Sequence, residues 1–226
     1  MSIFDSLIGI MAPHNCLGCA AEGSLLCARC FGSLPGPEPR CYRCLQSSPG
    51  WLTCVDCQPA SGVHSARVAA HYVSPAKDLI WKLKLDGARA AADLMARQLA
   101  GLIDYPQPRT LVVPVPTATS RRRQRGYDQA KLIGRAMAHR TGLLYTDCLL
   151  RTGQTHQHGL SRQERLRQLA AAFRLTGRQD MAGASVILVD DVITTGATIE
   201  AAAEVLKQAG ALRISAVACA QPDKKQ

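Results

Sequence analysis

Aromatic residues are scarce in this chain: two tryptophans, five tyrosines and three phenylalanines make up 4% of its 226 residues. Proteins that chiefly bind single-stranded nucleic acid recruit such rings as stacking platforms, so that role in pure form is disfavoured. No stretch approaches the roughly twenty consecutive apolar residues of a membrane span. The first twelve residues hold an apolar patch from Leu7 to Met11, but Asp5 and no basic residue stands before it. An export signal is therefore not expected there; a short amphipathic helix is. No lysine follows the glycine of a phosphate loop, and no G-x-G-x-x-G follows a strand-like run, which removes the Walker and dinucleotide-binding motifs. Acidic residues are also in deficit, 17 against 27 Lys and Arg, for a formal charge of +10. The balance favours anionic partners such as phosphate esters, nucleic acid or a membrane surface. The expectation is a soluble, cytoplasmic protein without membrane insertion.

Cysteine, by contrast, is abundant. Eight of the ten cysteines form four C-x-x-C pairs: Cys16/Cys19, Cys27/Cys30, Cys41/Cys44 and Cys54/Cys57. Each pair can grip one tetrahedral zinc from a tight knuckle, and two knuckles complete a four-thiolate site. A disulfide framework would need export, and redox pairs of this kind come singly, near a βαβ pattern. Seven residues separate Cys19 from Cys27 and nine separate Cys44 from Cys54, whereas residues 31–40 carry three prolines and read as a connection. Consecutive knuckles are thus expected to share a metal, giving a double zinc ribbon over residues 1–60 with two structural zinc ions. Four thiolates leave no open position for catalysis, and a segment this small needs the metal in order to fold. Eight thiolates around two divalent ions would reduce the net charge to about +6. Cys148 and Cys219 fall outside the pattern and read as small buried hydrophobes.

From residue 65 the composition becomes that of an α/β domain, expected to run to residue 226. Arg67–Val73 reads as a strand, and Ser74-Pro75 starts a helix over Ala76–Leu85 that Gly87 ends. Its Lys77, Lys82 and Lys84 read as a solvated face. Another helix is expected over Ala88–Ile103 and a strand over Thr110–Val115. Beyond that strand Arg121, Arg122, Arg123 and Arg125 suggest either a mobile phosphate-binding loop or a nucleic-acid contact. Gly126-Tyr127-Asp128-Gln129-Ala130 then opens a helix to about His139. Leu149–Thr152 reads as an edge strand, and His156 and His158 as part of a polar loop. Ser161–Ala172 reads as a helix whose Arg162, Arg165 and Arg167 form a second basic patch. Leu212–Ala220 is the expected last strand, and Gln221–Gln226 a frayed tail.

The stretch Val186–Leu206, VILVDDVITTGATIEAAAEVL, organises this domain. Four apolar β-formers deliver Asp190 and Asp191 to the carboxyl end of a sheet, and an Ala-rich helix begins near Ala197. Backbone amides and hydroxyls of Thr194, Thr195, Gly196, Ala197 and Thr198 can wrap a phosphate monoester at that helix's amino end. The two carboxylates can accept hydrogen bonds from vicinal ribose hydroxyls and attract magnesium. A β-branched residue at position 196 is expected to block the phosphate.

The thirteen positions from Val186 to Thr198 resemble the signature of type I phosphoribosyltransferases, which bind 5-phosphoribosyl-1-pyrophosphate. The resemblance implies a mostly parallel α/β fold, a magnesium ion that accompanies the pyrophosphate, and Asp190 and Asp191 at the sugar. Arg123 and Arg125 become candidates for the pyrophosphate. Pro114-Val115-Pro116, Arg123-x-Arg125-Gly126-Tyr127-Asp128-Gln129-Ala130, Gln157-x-x-Leu160-Ser161 with Arg165, and the four knuckles are together similar to the ComF family. Asp128 and Gln168 depart from it, each standing where the family usually has Asn. That family is linked to natural competence, the uptake of DNA. Three roles follow from the resemblance: a phosphoribosyltransferase, a ligand sensor without turnover, and an accessory factor that contacts single-stranded DNA and competence proteins.

Overall fold

The computed structural model describes residues 14–85, 89–104, 106–152, 172–177 and 181–223. The expected amino-terminal helix, His156, His158 and the basic patch at Arg162, Arg165 and Arg167 lie outside the described residues. A short helix, α1 (Ala28–Gly32), and two single-turn 3-10 helices punctuate the cysteine-rich part. Then come β1 (Ser65–His71), α2 (Ala76–Leu85), α3 (Arg89–Ala100), β2 (Thr110–Pro114), α4 (Thr119–Arg125), α5 (Gln129–Thr141) and β3 (Leu144–Tyr145). A separate antiparallel pair, β4 (Leu149–Arg151) and β5 (Phe173–Leu175), follows, and β6 (Ser185–Val192), α6 (Ala197–Gln208) and β7 (Arg213–Gln221) close the domain.

The main sheet has the order β1-β7-β6-β2-β3, and every pairing in it is parallel. Such a sheet is covered on both sides, so its central strands read as continuous apolar runs rather than alternating ones. β6 follows this rule: Val186 and Leu188 enter one core with α6 residues Ile199, Ala202 and Leu206. Ile187 and Val189 enter the other core with α3 and α5 residues Met95, Leu99, Ile133 and Met137. From β2 the chain moves outward to β3, and from β6 it moves the opposite way to β7. The crevice between the carboxyl ends of β2 and β6 is therefore the topological switch point, where sheets of this kind bind ligands.

Several boundaries differ from the expectations. β1 starts two residues early, because Ser65 and Ala66 pair with Ser215 and Ala216. β3 was not anticipated, since only two residues pair there. Leu149–Arg151 is no edge of the main sheet but half of its own two-stranded ribbon. The arginine-rich segment is a helix rather than a loop: arginine favours helices, and Gly126 at φ 77° terminates this one in the left-handed conformation. Gln221 is not frayed but is the last residue of β7, 1% exposed. Its carbonyl accepts from Tyr72 N–H at 2.9 Å, and its side chain accepts from Arg40 Nε at 3.2 Å.

Candidate ligand-binding site and metal centres

A cavity of about 310 Å³ opens at the switch point, between the Val115–Ala118 turn after β2 and the end of β6. Asp190 and Asp191 line it as the sixth and seventh residues of β6, so the strand itself holds them side by side. Asp190 Oδ1 accepts from the Asp191 N–H at 2.8 Å, and Asp191 Oδ1 from the Val192 N–H at 2.9 Å. Asp190 keeps some surface toward the cavity, but protein crowds its carboxyl elsewhere. That desolvation, reinforced by repulsion from Asp191, raises its pKa well above the usual carboxylate range. Lys84 Nζ, 2.5 Å from Asp191 Oδ2, opposes the rise. The solvated-face reading of Lys84 is thus corrected: it sits in the last turn of α2, and the Tyr127 hydroxyl donates to the neighbouring Leu83 carbonyl, fixing where that turn ends.

Residues 193–196 connect β6 to α6. Gly196, at φ 75°, is the residue before the helix, a conformation that favours glycine. The first-turn amides of α6 have no intrahelical acceptors, and the Ala197 N–H meets the Thr195 hydroxyl at 3.4 Å. Thr194 and Thr198 line the cavity, whereas Thr195, Gly196 and Ala197 do not. The expected effect of a side chain at 196 needs correcting. A Cβ there would lie 2.5 Å from Tyr42 Cε2 and 2.6 Å from Tyr42 Cδ2, so it would strike the ring of the knuckle tyrosine whether or not it also met a ligand.

The opposite wall is cationic. Arg121 and Arg125 from α4 and Arg151 from β4 line the cavity; Arg123 is exposed and stands outside the lining. Arg151 stacks 5.4 Å from the Phe173 ring centroid. Burial, and then repulsion from Arg121, lowers its pKa. Among the described residues its Nε and the Gln129 Nε2 are buried without a partner and both residues line the cavity; such groups call for a polar ligand. Asp128 is buried and accepts from the Thr117 N–H at 2.9 Å and the Thr117 hydroxyl at 3.2 Å. It thereby shapes the turn beside the acids. Sequence reasoning missed Arg151 and Lys84, whose importance comes from long-range packing and leaves no local pattern.

The eight knuckle cysteines gather into two groups, Cys16/Cys19/Cys27/Cys30 and Cys41/Cys44/Cys54/Cys57, with ligand atoms within 4.8 Å of one another in each. This is the consecutive pairing expected. Tetrahedral zinc at about 2.3 Å from each sulfur sets neighbouring sulfurs about 3.8 Å apart; Cys19 and Cys27 lie at 3.7 Å, and Cys44 and Cys54 at 3.6 Å. The Cys27 N–H donates to Cys16 Sγ at 3.3 Å and is the main cause of a Cys16 pKa lowered to about 6. Burial pushes Cys41 up, but the N–H groups of Cys44, Cys54 and Arg43 outweigh it and bring the thiol to about 7. Each group therefore contains a thiol disposed to ionise, the form that binds zinc. Cys148 and Cys219, at 0% and 2% exposure, are the buried hydrophobes expected.

With this geometry in place, the chain can be set beside known proteins. Residues 85–226 match the phosphoribosyl transferase domain. The DNA utilization protein YhgH of Salmonella typhi is 32% identical over 201 residues, covering 84% of this chain and 81% of that protein. This chain belongs to the ComF family, with a phosphoribosyltransferase domain. Competence protein F of Haemophilus influenzae is 28% identical over 86% of this chain and 85% of its own length. Competence protein ComFC of Streptococcus pneumoniae is 27% identical, over 84% of each. The glutamine phosphoribosylpyrophosphate amidotransferase from B. subtilis superposes on 57% of this chain and 26% of that one at 19% identity and a TM-score of 0.40, too remote to bear on chemistry. In this ComF-family chain the two four-cysteine groups are compatible with structural zinc. Among the described residues no helix is long and apolar enough to cross a membrane.

Proposed function

We propose that this protein binds 5-phosphoribosyl-1-pyrophosphate with magnesium at the switch-point cavity and transfers the phosphoribosyl group. The observation that carries the reading is the adjacency, in one cavity, of a carboxylate pair and three guanidiniums, next to a glycine-started helix amino end. Asp190 and Asp191 hold the ribose hydroxyls, while residues 194–198 receive the 5-phosphate at the α6 dipole. The pyrophosphate faces Arg121, Arg125 and Arg151. Magnesium would be held by the carboxylates and would neutralise charge on the departing pyrophosphate. The arginines stabilise the same charge where it develops.

Exposed Arg123, together with Arg121 on the same helix, favours a second reading in which α4 contacts single-stranded DNA in a cytoplasmic step of DNA uptake. The names of the relatives support that link. Calorimetric titration with phosphoribosyl pyrophosphate, with and without magnesium, tests the binding. Magnesium-dependent affinity that disappears in Asp190→Asn/Asp191→Asn supports it; unchanged affinity in that variant would overturn it. Pyrophosphate release with candidate acceptor bases then separates a transferase from a sensor.

A further inference from the structure

The second four-cysteine group does not stand apart from the ligand cavity. Its first knuckle, Cys41-Tyr42-Arg43-Cys44, reaches across to the start of α6. Tyr42 is 1% exposed and its ring covers Gly196, so closely that a Cβ there would meet it at 2.5 Å. Its hydroxyl donates to Glu200 Oε1, in the first turn of α6, and lies 2.8 Å from Ser61 Oγ. Arg43 Nη1 donates to the same Glu200 oxygen at 2.9 Å, and the Gly62 N–H donates to Glu200 Oε2 at 3.0 Å. One carboxylate thus gathers three donors from the segments flanking the second cysteine group. The Glu200 N–H in turn donates to the Gly196 carbonyl at 2.9 Å, which carries the restraint into the loop. Tyr42 does not line the cavity, so it cannot act by touching a ligand there.

We propose that Tyr42 is a positioning residue for the phosphate loop, held in place by the metal-bound knuckle, so that filling the second cysteine site sets the binding competence of residues 194–198. The proposal rests on the phosphoribosyl reading for the identity of the ligand, but not for the coupling itself. A phosphate loop binds well when its amides are already aligned, since ordering it on binding costs affinity. Gly196 has the widest conformational freedom of any residue; here a buried ring confines it from one side and the Glu200 clamp holds the turn that follows. Cys41 and Cys44 bracket the tyrosine; the Leu45 N–H closes the turn onto the Cys41 carbonyl at 2.8 Å, and a shared metal would tie the two sulfurs together. When the second site is empty, the knuckle loosens, the ring withdraws and the loop samples other conformations. The first cysteine group makes no such contact with α6 among the described residues, so its metal should leave the loop unaffected.

Hydrogen exchange on the full-length protein without ligand reads the loop directly, and titration with phosphoribosyl pyrophosphate and magnesium reads the consequence. In Tyr42→Ala, which also removes a buried ring from the core under α6, amides 194–200 should gain about tenfold more exchange than β6 amides 186–189 do, and affinity should fall by about the same factor. Tyr42→Phe keeps the ring and should restore most of both. Cys54→Ser, in the second group, should reproduce Tyr42→Ala; Cys27→Ser, in the first, should not. If Tyr42→Ala does not fold, Glu200→Gln, which retains the shape but weakens the clamp, should give a smaller change of the same kind. Wild-type exchange at 194–200 in Tyr42→Ala, or equal loosening of β6, would overturn the proposal. Should the expected exchange pattern appear in a protein that binds no phosphoribosyl pyrophosphate, the coupling stands and the ligand assignment falls.

Discussion

Asp190 is an acid that the surrounding protein largely desolvates. Burial, and then its neighbour Asp191, keep its pKa raised, so the folded protein holds a proton that the unfolded chain releases near pH 3.9. Stability from this residue should therefore be greatest below that pH and decline as pH rises toward the folded value. Ribose and magnesium favour the ionised form, so binding should release protons, and affinity should rise with pH over the same interval. Calorimetry in two buffers of different ionisation enthalpy measures the proton count; no release would mean that Asp190 stays protonated in the complex. Lys84 offsets the charge of the pair. Its bridge is mostly shielded, with side chains 23% and 17% exposed, so Lys84→Met should cost about 1–3 kcal/mol at neutral pH, between the values for exposed and buried pairs. Urea melts of the two proteins at neutral pH decide, and equal midpoints would show that the bridge adds nothing to stability. The acids were legible in the sequence because two charges in a row end an apolar strand. Lys84 was not, since a lysine at a helix end looks the same whether it meets solvent or a carboxylate 107 residues on.

Elements explain which parts of the site could be foreseen. β6, the glycine turn and α6 lie consecutively in the chain, so local pattern displays them whole. The opposite wall is assembled from α4 and β4, which the fold brings together from separate segments, and there the arginine run expected as a loop is a helix. The helix matters to function because it fixes which way each guanidinium points: Arg121 and Arg125, four apart and so on one face, both line the cavity, while Arg123 faces outward. Replacing Arg121, Arg122, Arg123 and Arg125 with Ala should lower the salt slope of any single-stranded DNA binding by up to about 0.7 for each phosphate partner removed. Phosphoribosyl pyrophosphate binding should weaken through Arg121 and Arg125. The Asp190→Asn/Asp191→Asn protein should show the reverse pattern, with DNA binding equal or stronger. DNA titrations across several salt concentrations check this, and an undiminished slope would put the DNA surface elsewhere.

At the scale of the whole molecule, composition and packing divide the chain differently. The change of composition near residue 65 suggests a small metal module followed by an enzyme-like domain, yet the two share their cores. Leu25, between the knuckles of the first group, belongs to the cluster built on α2, α3 and α5. Tyr42 and Val63 belong to the cluster under α6, and Arg97 of α3 stacks 5.1 Å from the Phe31 ring. Spacing alone revealed the two metal groups, because their ligands are local; it could not reveal where their few apolar residues would dock. Elemental analysis of protein purified without added metal should find two zinc ions per chain, and one or none would remove the double ribbon. Stripping both with excess chelator should then do more than melt the amino-terminal segment. Losing a buried Leu or a large buried ring from a core costs about 2–5 kcal/mol, and for a chain of this size each kcal/mol is worth about 2–4 °C. The melting temperature of the phosphoribosyltransferase domain, followed through the exchange of β6 and β7 amides, should fall by at least about 4 °C. If the metal leaves and that transition does not move, the modules fold independently, and the shared cores contribute nothing to the stability of the domain that holds the site.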